Sequence, residues 1–328
     1  MRVLVTGGAG FIGSNFVRRA LTGAYPFFEG APVRVLDALT YAGNLDNLAT
    51  VADRPELTFV RGDIRDADTV REAMEGVTHV LHFAAESHVD RSIADGGDFV
   101  TTNVVGTHTL LDAAVAAGVE RFVLVSTDEV YGSVPTGSSV ESDPLLPNSP
   151  YSASKASAEL MARAFHQTHG LPVVVARATN TYGPYQFPEK LIPLFVTNLS
   201  DGVQVPLYGD GRNVRNWIHV DDHCLGLSLV AERGEPGRTY NIGGEDECSN
   251  LQITELLLEL TGNDWSAVTH VEDRKGHDRR YSVDSSRLRD ELGYAPRVGF
   301  REGLDRTVRW YEENRGWWEP LKKSVDAR

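Results

Sequence analysis

Residues 3–13 read VLVTGGAGFIG. A short apolar, β-branched run ends in Gly7, Gly10 and Gly13, spaced three apart, and FIGSNFVRRAL at 11–21 then returns apolar residues every three or four positions. In a strand–turn–helix unit these glycines have separate jobs: a tight turn, room for a pyrophosphate close to the backbone, and close packing of helix on sheet. The helix N-terminus offers positive charge to the same anion. VRVLD at 33–37 ends in Asp37, where a carboxylate accepts from both hydroxyls of a ribose and repels a 2′-phosphate. NAD is therefore expected over NADP. Asp63 and Ile64, just past the third run, lie where an adenine edge would be read.

The same rhythm continues outward. Strands are expected at 3–6, 33–36, 57–60, 80–83, 122–126 and 173–177, with helices at 11–21, 66–74, 99–117 and 152–169 between them. The strand runs are continuously apolar rather than alternating, as in a parallel sheet buried on both faces, so the expected class is α/β, a doubly wound Rossmann sheet. Beyond residue 178 the pattern breaks into Gly, Pro and Asn-rich segments such as YGDGRNVRN at 208–216. HVDDHCLGLSLVAERG at 219–234 reads as a strand end capped by Asp221 into a helix, and TYNIGG at 239–244 as another strand. The expected division is 1–178 plus about 214–243 for the dinucleotide domain. The remaining 179–213 and about 244–328 form a smaller C-terminal lobe, with the ligand in the cleft between.

The 328 residues carry 46 acidic and 32 basic side chains, a formal charge of −14, which opposes nucleic acid as a partner. Cys224 and Cys248 are too few for a disulfide framework and lack metal-finger spacing. No run approaches a membrane span, and the apolar strand begins at residue 3 without space for a signal peptide, so a cytoplasmic setting is expected.

STDEVYG at 126–132 ends the fifth strand, and YSASK at 151–155 opens a helix. Tyr151 and Lys155 stand four apart and share a face, where an ammonium beside a phenol favours phenolate and lets it act as a base. Ser126 and Thr127 lie at a strand's carboxyl end, where doubly wound sheets place their chemistry.

With these residues the chain resembles the extended short-chain dehydrogenase/reductases over nearly its whole length, and within them the dTDP-glucose 4,6-dehydratases. Family epimerases and reductases keep a Ser or Thr, a Tyr and a Lys, whereas the dehydratases add the adjacent acidic pair that stands here as Asp128 and Glu129. FPEKLIPLF at 187–195, VPLYGDG at 205–211 and RKGHDRRYS at 274–282 resemble that family's nucleotide-sugar segments. The family's RCSNNYGP reads RATNTYGP here, keeping Asn180. The stretch between Gly132 and Tyr151 is shorter than in many rhamnose-pathway members and looks more like forms from antibiotic deoxysugar pathways.

The resemblance implies NAD as cofactor and dTDP-glucose as substrate. Catalysis would fall to Thr127, Asp128, Glu129, Tyr151 and Lys155. Cofactor contacts would extend to Phe11, Ile12, Leu39, Thr40, Phe83, Ala84, Ala85, Ser87, Thr102, Ser126 and Thr181. Substrate contacts would come from Ser87, His88, Thr127, Asn180, Glu189, Lys190, Leu191, Pro206, Tyr208, Arg215, Asn250, Arg274, His277 and Tyr281. A nucleotide-sugar 4-epimerase or decarboxylase shares the first oxidation and differs in keeping the C6 oxygen. A non-catalytic NAD sensor on this fold could discard Tyr151 or Lys155, and this chain retains both.

His219, Asp221, Asp222 and His223 mimic a metal cluster, but helix capping and strand-end polarity account for them and no metal is expected. His82 reads as structural, and Trp310, Trp317 and Trp318 as packing residues. The helices at 99–117 and 152–169 carry more apolar residues than one sheet-facing stripe requires, among them Val100, Val104, Leu111 and Val115, then Leu160, Met161, Ala164 and Phe165. A homodimer through a four-helix interface is therefore expected.

Overall fold

The computed structural model describes residues 1–326. Twelve strands, β1 (Val3–Thr6), β2 (Val33–Asp37), β3 (Leu57–Arg61), β4 (His79–His82), β5 (Arg121–Thr127), β6 (Val173–Ala178), β7 (Asn180–Tyr182), β8 (Val205–Tyr208), β9 (Val214–His219), β10 (Thr239–Ile242), β11 (Asp246–Ser249) and β12 (Val268–Val271), form three sheets among the described residues. The main sheet has the order β10-β6-β5-β4-β1-β2-β3, parallel at every pair. The chain's winding reverses between β1 and β4, which opens a crevice at the carboxyl ends of those strands.

Both faces of this sheet are covered, which is why its central strands are apolar throughout. Phe16, Val17 and Ala20 of the helix Phe11–Leu21 pack on one face with Cys224, Leu227 and Val230 of Val220–Arg233. Val70 and Met74 of Ala67–Met74, Leu110 and Ala114 of Thr107–Ala117, and Ala158 and Ala162 of Pro150–His169 pack on the other. Each fully buried Val, Leu or Phe contributes on the order of 1.5–3 kcal/mol from removal of apolar surface from water.

The helix expected at 152–169 starts two residues earlier. Ser149 and Ser152 form a reciprocal capping box, Pro150 occupies the first turn where its missing N–H costs nothing, and Gly170 closes the helix in the left-handed region at φ 67°. The helix expected at 99–117 runs from Gly97 but changes to π geometry over Thr101–Gly106. That widened turn brings Thr102 to the crevice. It also lets Asn103 bond both backbone groups of Glu86, at 2.8 and 2.9 Å, and the Ser154 hydroxyl at 2.9 Å.

The lobe boundary differs from the expectation in two places. β9 does not join the large sheet: it pairs parallel with β7 and antiparallel with β11 in the smaller lobe, so the return to the dinucleotide domain begins only at the helix Val220–Arg233. Later, the helix Ser286–Leu292 comes back to that domain, where Leu288, Leu292 and Tyr294 enter its core. The helix after β9 is capped by His219, whose Nδ1 accepts from the Asp221 amide at 3.2 Å, and not by Asp221 itself. The smaller lobe builds its own core from Ile192 and Phe195, Ile253 and Leu257, and Leu304, Val308 and Tyr311. Trp318 is buried within it, and Trp310 and Trp317 pack against it. No helix among the described residues is long and apolar enough to cross a membrane.

Candidate active site

A cavity of about 790 Å³ opens over the carboxyl ends of β1, β2, β4, β5 and β6 and reaches the smaller lobe. Its floor is the glycine turn. Gly7 has φ 68°, and a Cβ there would lie 2.6 Å from the Ala84 amide nitrogen; a Cβ on Gly13 would lie 2.3 Å from the Gly7 carbonyl oxygen. Gly10, the residue before the first helical turn, has no side-chain cap, so the helix N–H groups remain available to a ligand. The Asp37 carboxylate is held by the Ala9 amide at 2.9 Å and the Leu39 amide at 2.8 Å, one on each oxygen. Burial pushes its pKa up while these two amides oppose that. Each oxygen keeps a further acceptor position for a ribose hydroxyl.

Of the expected cofactor residues, Gly7, Gly10, Phe11, Ile12, Gly13, Asp37, Thr40, Asp63, Ile64, Phe83, Ala84, Ala85, Ser87, Thr102, Ser126 and Thr181 all line the cavity. Leu39 does not. Its backbone, at φ 52°, orients Asp37 instead.

Thr127, Asp128, Glu129, Tyr151 and Lys155 line the far end. Asp128 is almost fully buried; its Oδ1 accepts from the Thr127 hydroxyl at 3.3 Å and its Oδ2 has no partner. Burial first, and the neighbouring Glu129 second, push the Asp128 carboxyl up to about 8, so it stays protonated at neutral pH. Burial also raises Glu129, but the positive charges of Arg215, Lys190 and Arg274 pull it back. Both carboxyls are thus raised by burial, with Asp128 raised further by the Glu129 charge and Glu129 opposed by three cations, a difference that favours Asp128 as the acid and Glu129 as the base.

One expectation changes here. The Lys155 ammonium donates to the Val125 carbonyl at 2.8 Å, and burial lowers it to about 8. The Tyr151 phenol is pushed well above its ordinary value, by burial first and then by Glu129, while the nearby Thr127 hydroxyl favours the phenolate. Burial, the first cause, holds the proton on the phenol, so service as a base requires positive charge brought beside it.

Asn180, Glu189 and Lys190 complete the cavity wall. Asn180 Oδ1, Thr179 Oγ1 and His223 Nε2 are buried lining atoms without partners, an arrangement suited to a ligand rich in hydroxyl and amide groups. Apart from Ser87 and Thr127, the other expected substrate residues lie outside it. Arg215 stacks 4.3 Å from the Tyr281 ring centroid and bonds the Asp278 carbonyl, while Arg274 lies 4.8 Å over the Tyr208 ring and pairs with Asp90 at 2.8 Å. His277 bonds Asp273 at 2.6 Å. Through their charge on Glu129, Arg215 and Arg274 adjoin the catalytic end. His88 caps the helix Val89–Ala94 and sits 4.0 Å from Glu189, held neutral by burial with its pKa near about 3. Leu191 opens the helix Leu191–Ser200, Pro206 lies in β8, and Asn250 opens the helix Asn250–Thr261.

The metal-like group is taken up by other bonds: Asp222 accepts from the Arg297 and Val298 amides at 2.9 Å, Asp221 from Asn15, and His223 Nδ1 meets the Thr181 hydroxyl at 2.8 Å. No group of three metal-ligating side chains occurs among the described residues. His82 is bonded on both ring nitrogens by Thr6 and Thr107. The sequence reading missed Tyr41, Glu86, Arg91, Phe187 and His223 as lining residues. Tyr41, Glu86 and Arg91 follow the ends of β2 and β4, a position that could have marked them. Nothing local marks the Arg91–Glu189 bond of 3.0 Å that joins the two lobes.

A family model described as GDP-mannose 4,6 dehydratase matches residues 4–307. A dTDP-glucose 4,6-dehydratase of Streptomyces antibioticus is 60% identical over 324 residues, covering 98% of this chain and 96% of the relative. Among solved structures, a dTDP-glucose 4,6-dehydratase of Streptomyces venezuelae with NAD and TYD bound has a TM-score of 0.97 at 62% identity, covering 98% of this chain and 100% of the other. A dTDP-glucose 4,6-dehydratase of Bacillus anthracis in complex with NAD has a TM-score of 0.90 at 46% identity, covering 98% and 99%. With the acidic pair beside the Tyr–Lys helix and this similarity along nearly its whole length, the chain belongs to the dTDP-glucose 4,6-dehydratases, within the broader nucleotide-sugar dehydratase family.

Proposed function

We propose that this protein converts dTDP-glucose to dTDP-4-keto-6-deoxyglucose for deoxysugar biosynthesis, as an NAD-dependent hydro-lyase. The observation that carries the reading is the Asp128–Glu129 pair, set side by side at the end of a cavity whose other wall is a dinucleotide turn. Gly7, Gly10, Gly13 and Asp37 would hold NAD, which when bound would supply the oxidation at sugar C4 and the return of the hydride to C6. Tyr151 accepts the proton of the 4-hydroxyl during oxidation, Lys155 supplies positive charge beside it, and Thr127 donates to the forming 4-keto oxygen. The ketone acidifies C5. Glu129 then removes the C5 proton while Asp128 protonates the departing 6-hydroxyl, so water leaves from adjacent carbons. C5 regains a proton as C6 becomes a methyl group.

Incubation with a panel of nucleotide hexoses, followed by mass spectrometry and NMR, tests this directly. The expected product from dTDP-glucose has lost one water, carries a C6 methyl and shows a 4-keto chromophore in alkali. An epimer that retains the C6 oxygen would overturn the reading.

Asp37→Ala is expected to weaken NAD binding by about two to four orders of magnitude, since it removes two hydrogen bonds to a charged group that contribute about 1.5–3 kcal/mol each. It also removes the repulsion of a 2′-phosphate, so the preference over NADP narrows; titration of both cofactors reads this, and unchanged selectivity would place the ribose elsewhere.

We further infer a cytoplasmic homodimer. The two cysteines are free, as a reducing compartment requires. Val100, Val105 and Leu160 lie on the helices expected to pair, at 53%, 50% and 60% exposure. Leu111 and Phe165, expected at the interface, instead belong to the core of one subunit, and Phe165 packs between the His108 and His169 rings. A charge at Phe165 would damage the fold. Leu160→Glu is the better probe: light scattering at micromolar concentration should give about twice the 36.0 kDa chain mass for the native protein and a shift toward one for the variant. A native monomer would refute the dimer.

A further inference from the structure

Glu159 lies one helical turn beyond Lys155 and has no part in the reaction described above. Its carboxylate is buried at the meeting point of three elements. From β5, the Ser126 hydroxyl donates to its Oε1. From β6, Arg177 donates through Nε at 3.1 and 3.0 Å to the two oxygens and through Nη2 at 2.6 Å to Oε2. Arg177 in turn donates through Nη1 to the Tyr131 phenol oxygen at 2.6 Å, with its guanidinium 4.7 Å from the centroid of that ring. Tyr131 closes the short turn Asp128–Tyr131, the segment that carries both catalytic acids. Its hydroxyl donates to Asn241 of β10 at 2.8 Å.

These bonds link the two halves of the catalytic machinery. Tyr151 and Lys155 ride on the helix; Thr127, Asp128 and Glu129 ride on the end of β5 and the turn after it. Ser126 precedes that group by one residue, and Tyr131 follows it by two. Sheet packing against the helix fixes the spacing of their axes, but apolar contacts slide easily. A charge-assisted fork with several directional bonds does not.

We propose that Glu159, clamped by Arg177, is a positioning residue that holds the Tyr151–Lys155 face of the helix in register with the Thr127–Asp128–Glu129 strand end. The inference rests on the dehydratase reading. A displacement of even about 1 Å between a base and its reacting atom costs on the order of a hundredfold in rate, so loss of the clamp falls on kcat more than on substrate affinity.

Glu159 also faces Lys155. Among the described residues it is the one charged group that acts on the Lys155 ammonium, and it opposes the fall caused by burial. The other titratable groups near that ammonium are Tyr151 on the same helix and His82 on β4, and His82 is held neutral by burial with a pKa of about 3. Arg177 does not act on Lys155 directly. Removing the Glu159 charge therefore lowers the Lys155 pKa further, and the ammonium is lost at a lower pH.

The test uses the NAD-loaded enzyme and compares the native protein, Glu159→Asp, Ser126→Ala and the charge-neutral double variant Glu159→Gln/Arg177→Met, which avoids leaving a buried arginine unpaired. Wild-type turnover of dTDP-glucose, measured alongside, judges the dehydratase reading by itself. The double variant is expected to lose about tenfold or more in kcat with KM changed less than about threefold. The alkaline limb of its oxidation half-reaction should move down by about one pH unit. The chain contains five lysines, so a 13Cε-lysine NMR titration follows Lys155 independently of activity, and it should show the same displacement. Glu159→Asp and Ser126→Ala retain the charge and should lower kcat while leaving that titration in place. A folded double variant with native kcat and an unmoved Lys155 signal would overturn the proposal. If the double variant does not fold, native kcat in both Glu159→Asp and Ser126→Ala would overturn it equally.

Discussion

Tyr151→Phe is expected to abolish detectable hydride transfer, lowering kcat by roughly 10²–10⁴-fold, the range a single positioned acid–base group supplies. The change removes one oxygen and leaves the ring, which packs edge-on against Phe99 with centroids 6.3 Å apart, so folding and NAD content should survive. The phenol's high proton affinity makes the result specific. Buried beside Asp128 and Glu129, Tyr151 ionises only where added positive charge favours the phenolate; that phenolate takes the 4-hydroxyl proton as the hydride leaves, and Phe offers nothing in its place. Mixing the variant with dTDP-glucose should therefore show no NADH absorbance at any time. Native turnover, or NADH formed at the native rate, would assign the base elsewhere.

Much of this arrangement is legible in the sequence because it is local. The glycine turn, Asp37 at the end of β2 and the four-residue spacing of Tyr151 and Lys155 are all set by positions within a few residues of one another, and hydrophobic continuity marks the parallel strands around them. Where partners are distant, the reading falters. A strand that runs into a helix, as at 214–233, has the same local signature whichever sheet it joins; pairing with Asn180–Tyr182 and Asp246–Ser249 decides that β9 belongs to the smaller lobe. The return of Leu288 and Leu292 to the dinucleotide core is of the same kind. Electrostatics is equally non-local. An ammonium four residues from a phenol suggests a depressed phenol, yet the surrounding burial and the two acids in the turn after β5 reverse that sign. Likewise nothing in the sequence near Glu159 marks the Arg177 that β6 brings against it.

The acidic pair separates a dehydratase from every simpler use of the same oxidation, so its removal should split the reaction rather than merely slow it. Asp128→Asn keeps the size of the side chain and removes its capacity to donate a carboxyl proton to the 6-hydroxyl; Glu129→Gln removes the base that takes the C5 proton. In both variants Tyr151 and Lys155 remain, and oxidation at C4 should proceed. Elimination should fall by roughly 10²–10⁴-fold, and enzyme-bound NADH with a 4-keto hexose should accumulate where the native enzyme shows little. The pH dependence gives a second check. The Asp128 carboxyl titrates at about 8, so its acid function is complete below that value and lost as pH rises through it. Native turnover should thus decline above about pH 8, because loss of the Asp128 proton slows elimination and loss of the Lys155 charge slows oxidation in the same region. Single-turnover elimination from preformed 4-keto intermediate isolates the Asp128 limb, and Asp128→Asn should lack it. If either variant still forms the 6-deoxy product at the native rate, the carboxyl it lacks is not the acid or base of the elimination.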